Sequence, residues 1–250
     1  MNKFRLIPSI LYKNNTAIRG KNFESWRTIG SIMQLVRLYS LRQVDELIFL
    51  DVDAYQNKKL NLNLIKEFTD QCFMPIIVGG GIRTIDDIDS LLKVGADRVS
   101  INSSFFFNDK IVKDGIKYFG SQCIIISIDY KMINKKKIVY VKSGKHNTGI
   151  ELKNYLKKVE QLGVSEIILT SIDHDGVMNG CDNKTINKVN KNFKFKVIGA
   201  GGVGKPEHVL ETIKETNISA ISCSSIFQFT NTTPQDVKQY LLKNKIKIRV

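Results

Sequence analysis

The sequence predicts an α/β fold of the TIM-barrel, (β/α)8 type. Three observations lead there. Eight short apolar runs alternate with helix-length amphipathic segments along 250 residues, the rhythm of eight β-then-α units. The runs are β-branched and continuously apolar, as strands covered on both faces must be. The chain also matches itself: VGGGIRTIDDIDSLLKVGADRVSINSSFF (78–106) aligns without a gap with GAGGVGKPEHVLETIKETNISAISCSSIF (199–227). That self-match predicts one domain, 1–250, built from two similar half-barrels of about 1–120 and 121–250. An open, doubly wound sheet is the structural alternative.

In chain order the strand candidates are FRLIPSI (4–10), ELIFLDV (46–52), PIIVG (75–79), DRVSI (97–101), CIIISID (123–129), EIILTSI (166–172), KVIGA (196–200) and SAISC (219–223). Helix candidates between them include TIDDIDSLLKVG (84–95) and KPEHVLETIKET (205–216). ELIFLDVD (46–53) aligns with EIILTSID (166–173), and LYK (11–13) with DYK (129–131). The last pair sets Leu11 against Asp129.

A hydrophobic fraction of 42% suits one large core. The N-terminus MNKFRLIPSI reads straight into a strand rather than a secretory leader, and no apolar run reaches the roughly 18 residues of a membrane span. The four cysteines, Cys72, Cys123, Cys181 and Cys223, form no C-x-x-C pair. They read as buried thiols of a cytoplasmic protein, with no metal site and no cofactor. The net charge of +14 raises nucleic acid as a partner. The lysines are spread along the chain, however. Their dense run, KMINKKKIVYVKSGKH (131–146), reads as a solvated hairpin or loop without an RNP-type aromatic motif. Attraction of anionic small substrates is the better use of the charge.

Each half carries a glycine turn after its third strand, GGGIR (79–83) and GGVGK (201–205), and small polar residues after its fourth, INSS (101–104) and CSSIF (223–227). Glycine lets backbone N–H groups approach an anion, and helix N-termini favour negative charge. The candidate phosphate-binding residues are Gly80, Gly81, Asn102 and Ser103 in one grip, and Gly176, Gly201, Gly202, Ser224 and Ser225 in the other. Two grips across one mouth suit a ligand with a phosphate at each end. The plainer reading is that the glycines only make tight βα turns.

Functional side chains of such barrels sit at the carboxyl ends of the strands. There the chain offers Leu11, Asp51, Asn102, Asp129, Thr170, Asp173 and Asp175. Asp129 ends an apolar run, where partial desolvation raises a carboxylate toward useful acid–base values. TSIDHDG (170–176) adds two carboxylates and a histidine, His174, on one loop.

IPSILYK, VDELIFLDVDA, VGGGIR, ADRVSINSS, FGSQCIIISIDYK, HNTGIEL, EIILTSIDHDG, GAGGVGKPEHVLE and SIFQF resemble the cyclase subunit family of imidazole glycerol phosphate synthase, HisF. The resemblance implies a histidine-pathway barrel with a separate glutaminase docked at its bottom. Ammonia made by the glutaminase crosses the barrel. At the top it splits a bisphosphorylated aminoimidazole-carboxamide ribonucleotide into imidazole glycerol phosphate and an aminoimidazole carboxamide ribotide. Carried over residue by residue, the second-half catalytic aspartate is Asp129. The substrate-binding positions are Asp51, Arg19, Thr170, Asp173 and Asp175. The ammonia gate is Arg5, Glu46, Arg98 and Glu166, with arginine at 98 where lysine is common. Ordinary stabilising ion pairs are the other reading of those four charges.

The departures fall on the chemistry. Leu11 stands where the family has its first catalytic aspartate, and losing one positioned acid or base costs about 10²–10⁴ in rate. Arg19 replaces a lysine and gives up its proton less readily. Ala200 replaces a phosphate-side serine. A known offshoot of the family has an apolar residue at the first-strand position. It works with a glutaminase and a third enzyme that adds an acetamidino group to a surface-polysaccharide sugar. The preferred reading is therefore a barrel that passes ammonia to a downstream enzyme, with the true cyclase as the alternative. A related histidine-pathway isomerase would also need an aspartate at the first strand end. A scaffold that only activates its glutaminase is a further rival. No cysteine of this chain lies in a recognisable glutaminase nucleophile turn.

Overall fold

In a computed structural model, which describes residues 3–57 and 60–249, the predicted barrel is closed. The strands in chain order are β1 (Arg5–Lys13), β2 (Thr16–Lys21), β3 (Glu24–Gly30), β4 (Leu47–Asp51), β5 (Ile76–Gly79), β6 (Arg98–Ile101), β7 (Ile124–Ile133), β8 (Lys136–Val141), β9 (His146–Glu151), β10 (Glu166–Ser171), β11 (Lys196–Ala200) and β12 (Ala220–Cys223). Eight of them, β1, β4, β5, β6, β7, β10, β11 and β12, pair in parallel around a ring. β12 meets β1 through Leu6↔Ile221, and β7 meets β10 through Thr170↔Asp129. Closure excludes the open sheet.

Two cores follow from the two faces of each strand. Inward-facing Ile7, Ile48, Ile77, Ile125, Ile168, Ile198 and Ala220 fill the barrel as one apolar layer. Outward-facing residues pack under the helices, where Phe49 and Phe68 sit with ring centroids 4.8 Å apart. The two helices foreseen from sequence form as Ile85–Lys93 and Pro206–Thr216. Thr84 caps the first in a reciprocal capping box with Asp87.

Two strands overrun the barrel rim and carry antiparallel additions. β1 continues into β2 and β3, and β7 into β8 and β9. The lysine-rich segment is thus a hairpin rather than a loop, and one face of it is not solvated: Ile138, Val139 and Val141 are buried. Its first turn, Asn134-Lys135, has positive φ at both residues, the geometry that matches strand twist. The cysteines are free thiols, but only Cys223 is fully buried. Among the described residues no helix is long and apolar enough to cross a membrane.

Candidate functional site

A cavity opens at the carboxyl ends of the barrel strands. Leu11, Asp51, Asn102, Asp129, Thr170 and Asp175 line it, with both glycine turns at its sides. β1 and β7 are separated by three strands whichever way the ring is followed. Leu11 and Asp129 therefore face each other across the mouth. The glycine turns follow β5 and β11, which are opposed in the same way.

Asp129 is buried. Asn102 Nδ2 donates to its Oδ2 at 3.0 Å. Burial pushes its pKa up to about 7, against the Thr170 hydroxyl and the Asn102 amide, while the Asp175 charge adds to the rise. The carboxyl of Asp51 is also raised, to about 6, by burial. The backbone N–H groups of Ala54 and Asp53 oppose that by donating to its Oδ1 at 2.9 and 3.0 Å. At the facing strand end, Leu11 is 7% exposed and pairs with Leu50 of β4 and Ile18 of β2. Its side chain offers no proton donor or acceptor.

Arg19, on β2, is folded into the cavity and buried. Its Nη2 donates to Asp175 Oδ1 at 2.6 Å and its Nε to Ser225 Oγ at 3.1 Å. Burial raises the Asp175 pKa, and the Arg19 guanidinium opposes the rise. Two buried polar atoms among the cavity residues, Ser100 Oγ and Asp175 Oδ2, have no protein partner. Buried polar atoms are normally satisfied, so these two are available to a ligand.

The serine hydroxyls of the two grips are engaged within the protein. Ser103 Oγ accepts from Lys142 N at 2.9 Å, and Ser104 Oγ donates to the Ile82 carbonyl. Ser224 Oγ is held by Ser9 through both its hydroxyl, at 2.6 Å, and its carbonyl, at 2.5 Å. Ser225 is held by Arg19. Backbone N–H groups are thus what the turns can offer an anion. The glycines also have a packing reason: a Cβ on Gly80 would meet the Asp51 carbonyl at 2.2 Å, and one on Gly202 the Gly180 carbonyl at 2.0 Å.

Two predicted residues lie outside the cavity wall. Asp173 Oδ2 accepts from Met132 N at 2.7 Å, tying the loop after β10 to the lysine hairpin. Gly176 packs on the Gly20 carbonyl. His174 is held by Ser171, with Oγ and Nδ1 2.8 Å apart. Sequence reasoning missed Phe23 and Trp26, which line the cavity from the β2–β3 hairpin.

At the opposite end, Arg5, Glu46, Arg98 and Glu166 close into a ring. Each carboxylate bridges both arginines: Arg5 Nη1 to Glu46 at 2.9 Å, Arg98 Nε to Glu46 at 3.0 Å, Arg98 Nη1 to Glu166 at 2.5 Å, and Arg5 Nη2 to Glu166. Burial pushes the Glu46 pKa up, against the pull of Arg98 and Arg5. The isoleucine layer lies between this ring and the cavity.

A closed (β/α)8 barrel with an acidic, glycine-flanked cavity at its carboxyl face defines a TIM-barrel protein built around a small-molecule site. Residues 5–233 match the family described as histidine biosynthesis protein, and the chain belongs to that family, in its HisF branch. It is 36% identical over 248 residues to imidazole glycerol phosphate synthase subunit HisF of Bacillus cereus (strain Q1). It is 38% identical over 248 residues to the subunit of that name from Hydrogenobaculum sp. (strain Y04AAS1). Each match covers 98% of both chains.

Proposed function

We propose that this chain is the barrel subunit of a glutamine-dependent amidotransferase complex and hands ammonia on instead of using it in cyclisation. A separate glutaminase docks at the face of the charge ring. Ammonia passes Arg5, Glu46, Arg98 and Glu166, crosses the isoleucine layer as a neutral molecule, and reaches the polar cavity. From there it goes to an acceptor enzyme that places an acetamidino group on a surface-polysaccharide sugar. The observation that carries this reading is Leu11. Cyclisation needs a positioned acid and base on opposite sides of its substrate, and across the cavity from Asp129 the strand end carries Leu11, with the other raised carboxyl, Asp51, one strand over on β4. Arg19, the cation among the cavity-lining residues described, is committed to Asp175 and Ser225.

The second reading is a true cyclase of histidine biosynthesis acting on a bisphosphate held by the two glycine turns. The name printed for the relatives favours it, as does an Asp129 poised near neutral pH. The test is cyclisation of the histidine-pathway bisphosphate with saturating ammonium, which bypasses the glutaminase. The expected result is no turnover by the unaltered chain and partial recovery in Leu11→Asp, within the 10²–10⁴-fold range that one positioned group supplies. Turnover by the unaltered chain would overturn the hand-over reading.

A further inference from the structure

The lysine-rich run is not explained by a phosphate-holding cavity, and the fold gives it a definite place. Residues 131–150 contain six lysines and no Asp or Glu. They form the outer part of β7 together with β8 and most of β9, a small sheet standing off the carboxyl face. Lys135 and Lys145 are exposed, and Lys136 pairs with Glu151 at 2.9 Å. Beside the lysines lies an aromatic patch. Phe107 is 53% exposed, with Lys142 Nζ 5.0 Å above its ring and His146 6.3 Å away. Phe106 packs against both Phe107 and His146.

This sheet is joined to the mouth. Lys142 N donates to Ser103 Oγ, and Ser143 Oγ donates to the Val52 carbonyl at 3.1 Å, so the β8–β9 turn is bound to the cavity rim. A cleft runs between that turn and the β2–β3 hairpin, with Lys131, Lys145, Phe23, Trp26 and Ser143 in its walls. Phe23, Trp26 and Ser143 also line the main cavity. The cleft therefore adjoins the cavity across these three residues, with Lys131, Lys145 and Glu24 as its charged lining.

We propose that the lysine sheet and this cleft form the docking surface for an acidic partner protein, the enzyme that accepts ammonia from the cavity. The inference rests on the hand-over reading above. An acidic surface seated on Lys131, Lys135 and Lys145 would cover the cleft that adjoins the cavity. Ammonia leaving past Trp26 would then enter the partner before reaching water. An exposed aromatic ring is a common anchor of a protein–protein interface. The charge complementarity would speed encounter and make it salt-dependent. A nucleic acid would use the same lysines for its phosphates, but the β2–β3 residues that line the cleft, Asn22, Phe23, Glu24, Ser25 and Trp26, add no basic side chain; Lys21 and Arg27 of that hairpin are exposed outside the cleft lining.

The test uses the full chain with its glutaminase and the purified sugar-amidating enzyme as probe. Binding is measured by sedimentation velocity at low and high salt for the unaltered chain, for Lys135→Glu/Lys145→Glu, and for Phe107→Ser. The charge-reversed variant should bind at least about tenfold more weakly at low salt, with a flattened salt dependence. Its glutamine-driven transfer should fall, while transfer driven by free ammonium and stimulation of the glutaminase stay unchanged. Unaltered binding in the charge-reversed variant overturns the proposal, and so does no binding by the unaltered chain. Equal or tighter binding of a short duplex DNA through the same lysines would assign the surface to nucleic acid instead. Cyclisation of the histidine-pathway bisphosphate by the unaltered chain would sink the hand-over reading separately, because it is read without the partner.

Discussion

The barrel builds the same device twice and uses it differently. β1 and β7 sit opposite each other, both overrun the rim, and both carry an antiparallel extension. The β1 extension turns inward. Asn22 Nδ2 donates to the carbonyls of Ile172 and Asp173, both at 2.9 Å, and Arg19 is buried against Asp175. The β7 extension touches the rim only through its β8–β9 turn and shows Lys135, Lys136 and Lys145 to solvent. At the strand ends the assignment is reversed: the closed side ends in apolar Leu11, and the open side in Asp129, the carboxyl raised to about 7. Covering and chemistry have been separated. One hairpin folds over the mouth, and the opposite strand ends in Asp129, the carboxyl raised further than Asp51 on the Leu11 side.

The largest effect should come from removing the ion pair that closes the inward hairpin. Arg19→Met leaves Asp175 buried without its cation, and breaking one side of a buried pair costs about 3 kcal/mol or more. For a chain of this size that is a drop in Tm of about 6–12 °C. The matching change on the outward hairpin, Lys145→Met, removes an exposed charge and should stay within about 0.5 kcal/mol. Thermal unfolding of the two variants side by side measures the asymmetry; equal losses would show that Arg19 does not hold the hairpin down.

A smaller effect should follow from the hairpin's polar pin. Asn22→Ala removes two hydrogen bonds to loop carbonyls, at a cost of about 1–2 kcal/mol. Hydrogen exchange should accelerate across residues 16–30 and remain as it was across 134–150. Acceleration in both segments would mean that the hairpins open as one unit, and the contrast between them would be lost.

These hairpins also mark how far the sequence could be read. The eight barrel strands were legible because strands buried on both faces are continuous apolar runs. The four residues of the charge ring came from the family resemblance, and their place at strand starts explains why they pair with one another inside a packed barrel. The inward hairpin was not foreseen. The segment TAIRGKNFESWRTIG mixes polar and apolar residues, and β3 is largely exposed. Its place is set by distant partners, Asp175 and the carbonyls of the loop after β10, which no local pattern announces. The available signal was turn chemistry: Asn14-Asn15 and Asn22-Phe23 all adopt positive φ, and asparagine pairs between short runs suggest a hairpin. Missing it hid Phe23 and Trp26 from the list of cavity residues. The grip serines were found by position. That their hydroxyls are taken by Ser9, Arg19, Ile82 and Lys142 is a tertiary fact.

The finest distinction between the two strand ends is electrostatic, and pH can isolate it. A carboxyl raised from 3.8 to about 7 by burial binds its proton more tightly in the folded chain than in the unfolded one. Stability is then highest below the unfolded value, falls as the pH rises from about 4 to about 7, and is level above that. Asp129→Asn removes the titration. Its Tm relative to the unaltered chain should climb steadily across that window and level off above it. Leu11→Asn, which puts the same amide at the opposite strand end, should shift Tm by an amount that does not change with pH over the window. A flat difference for Asp129→Asn would mean that its carboxyl titrates like an exposed one. The raised carboxyl at the mouth would then be Asp51, beside Leu11, and the contrast between the two strand ends would be reversed.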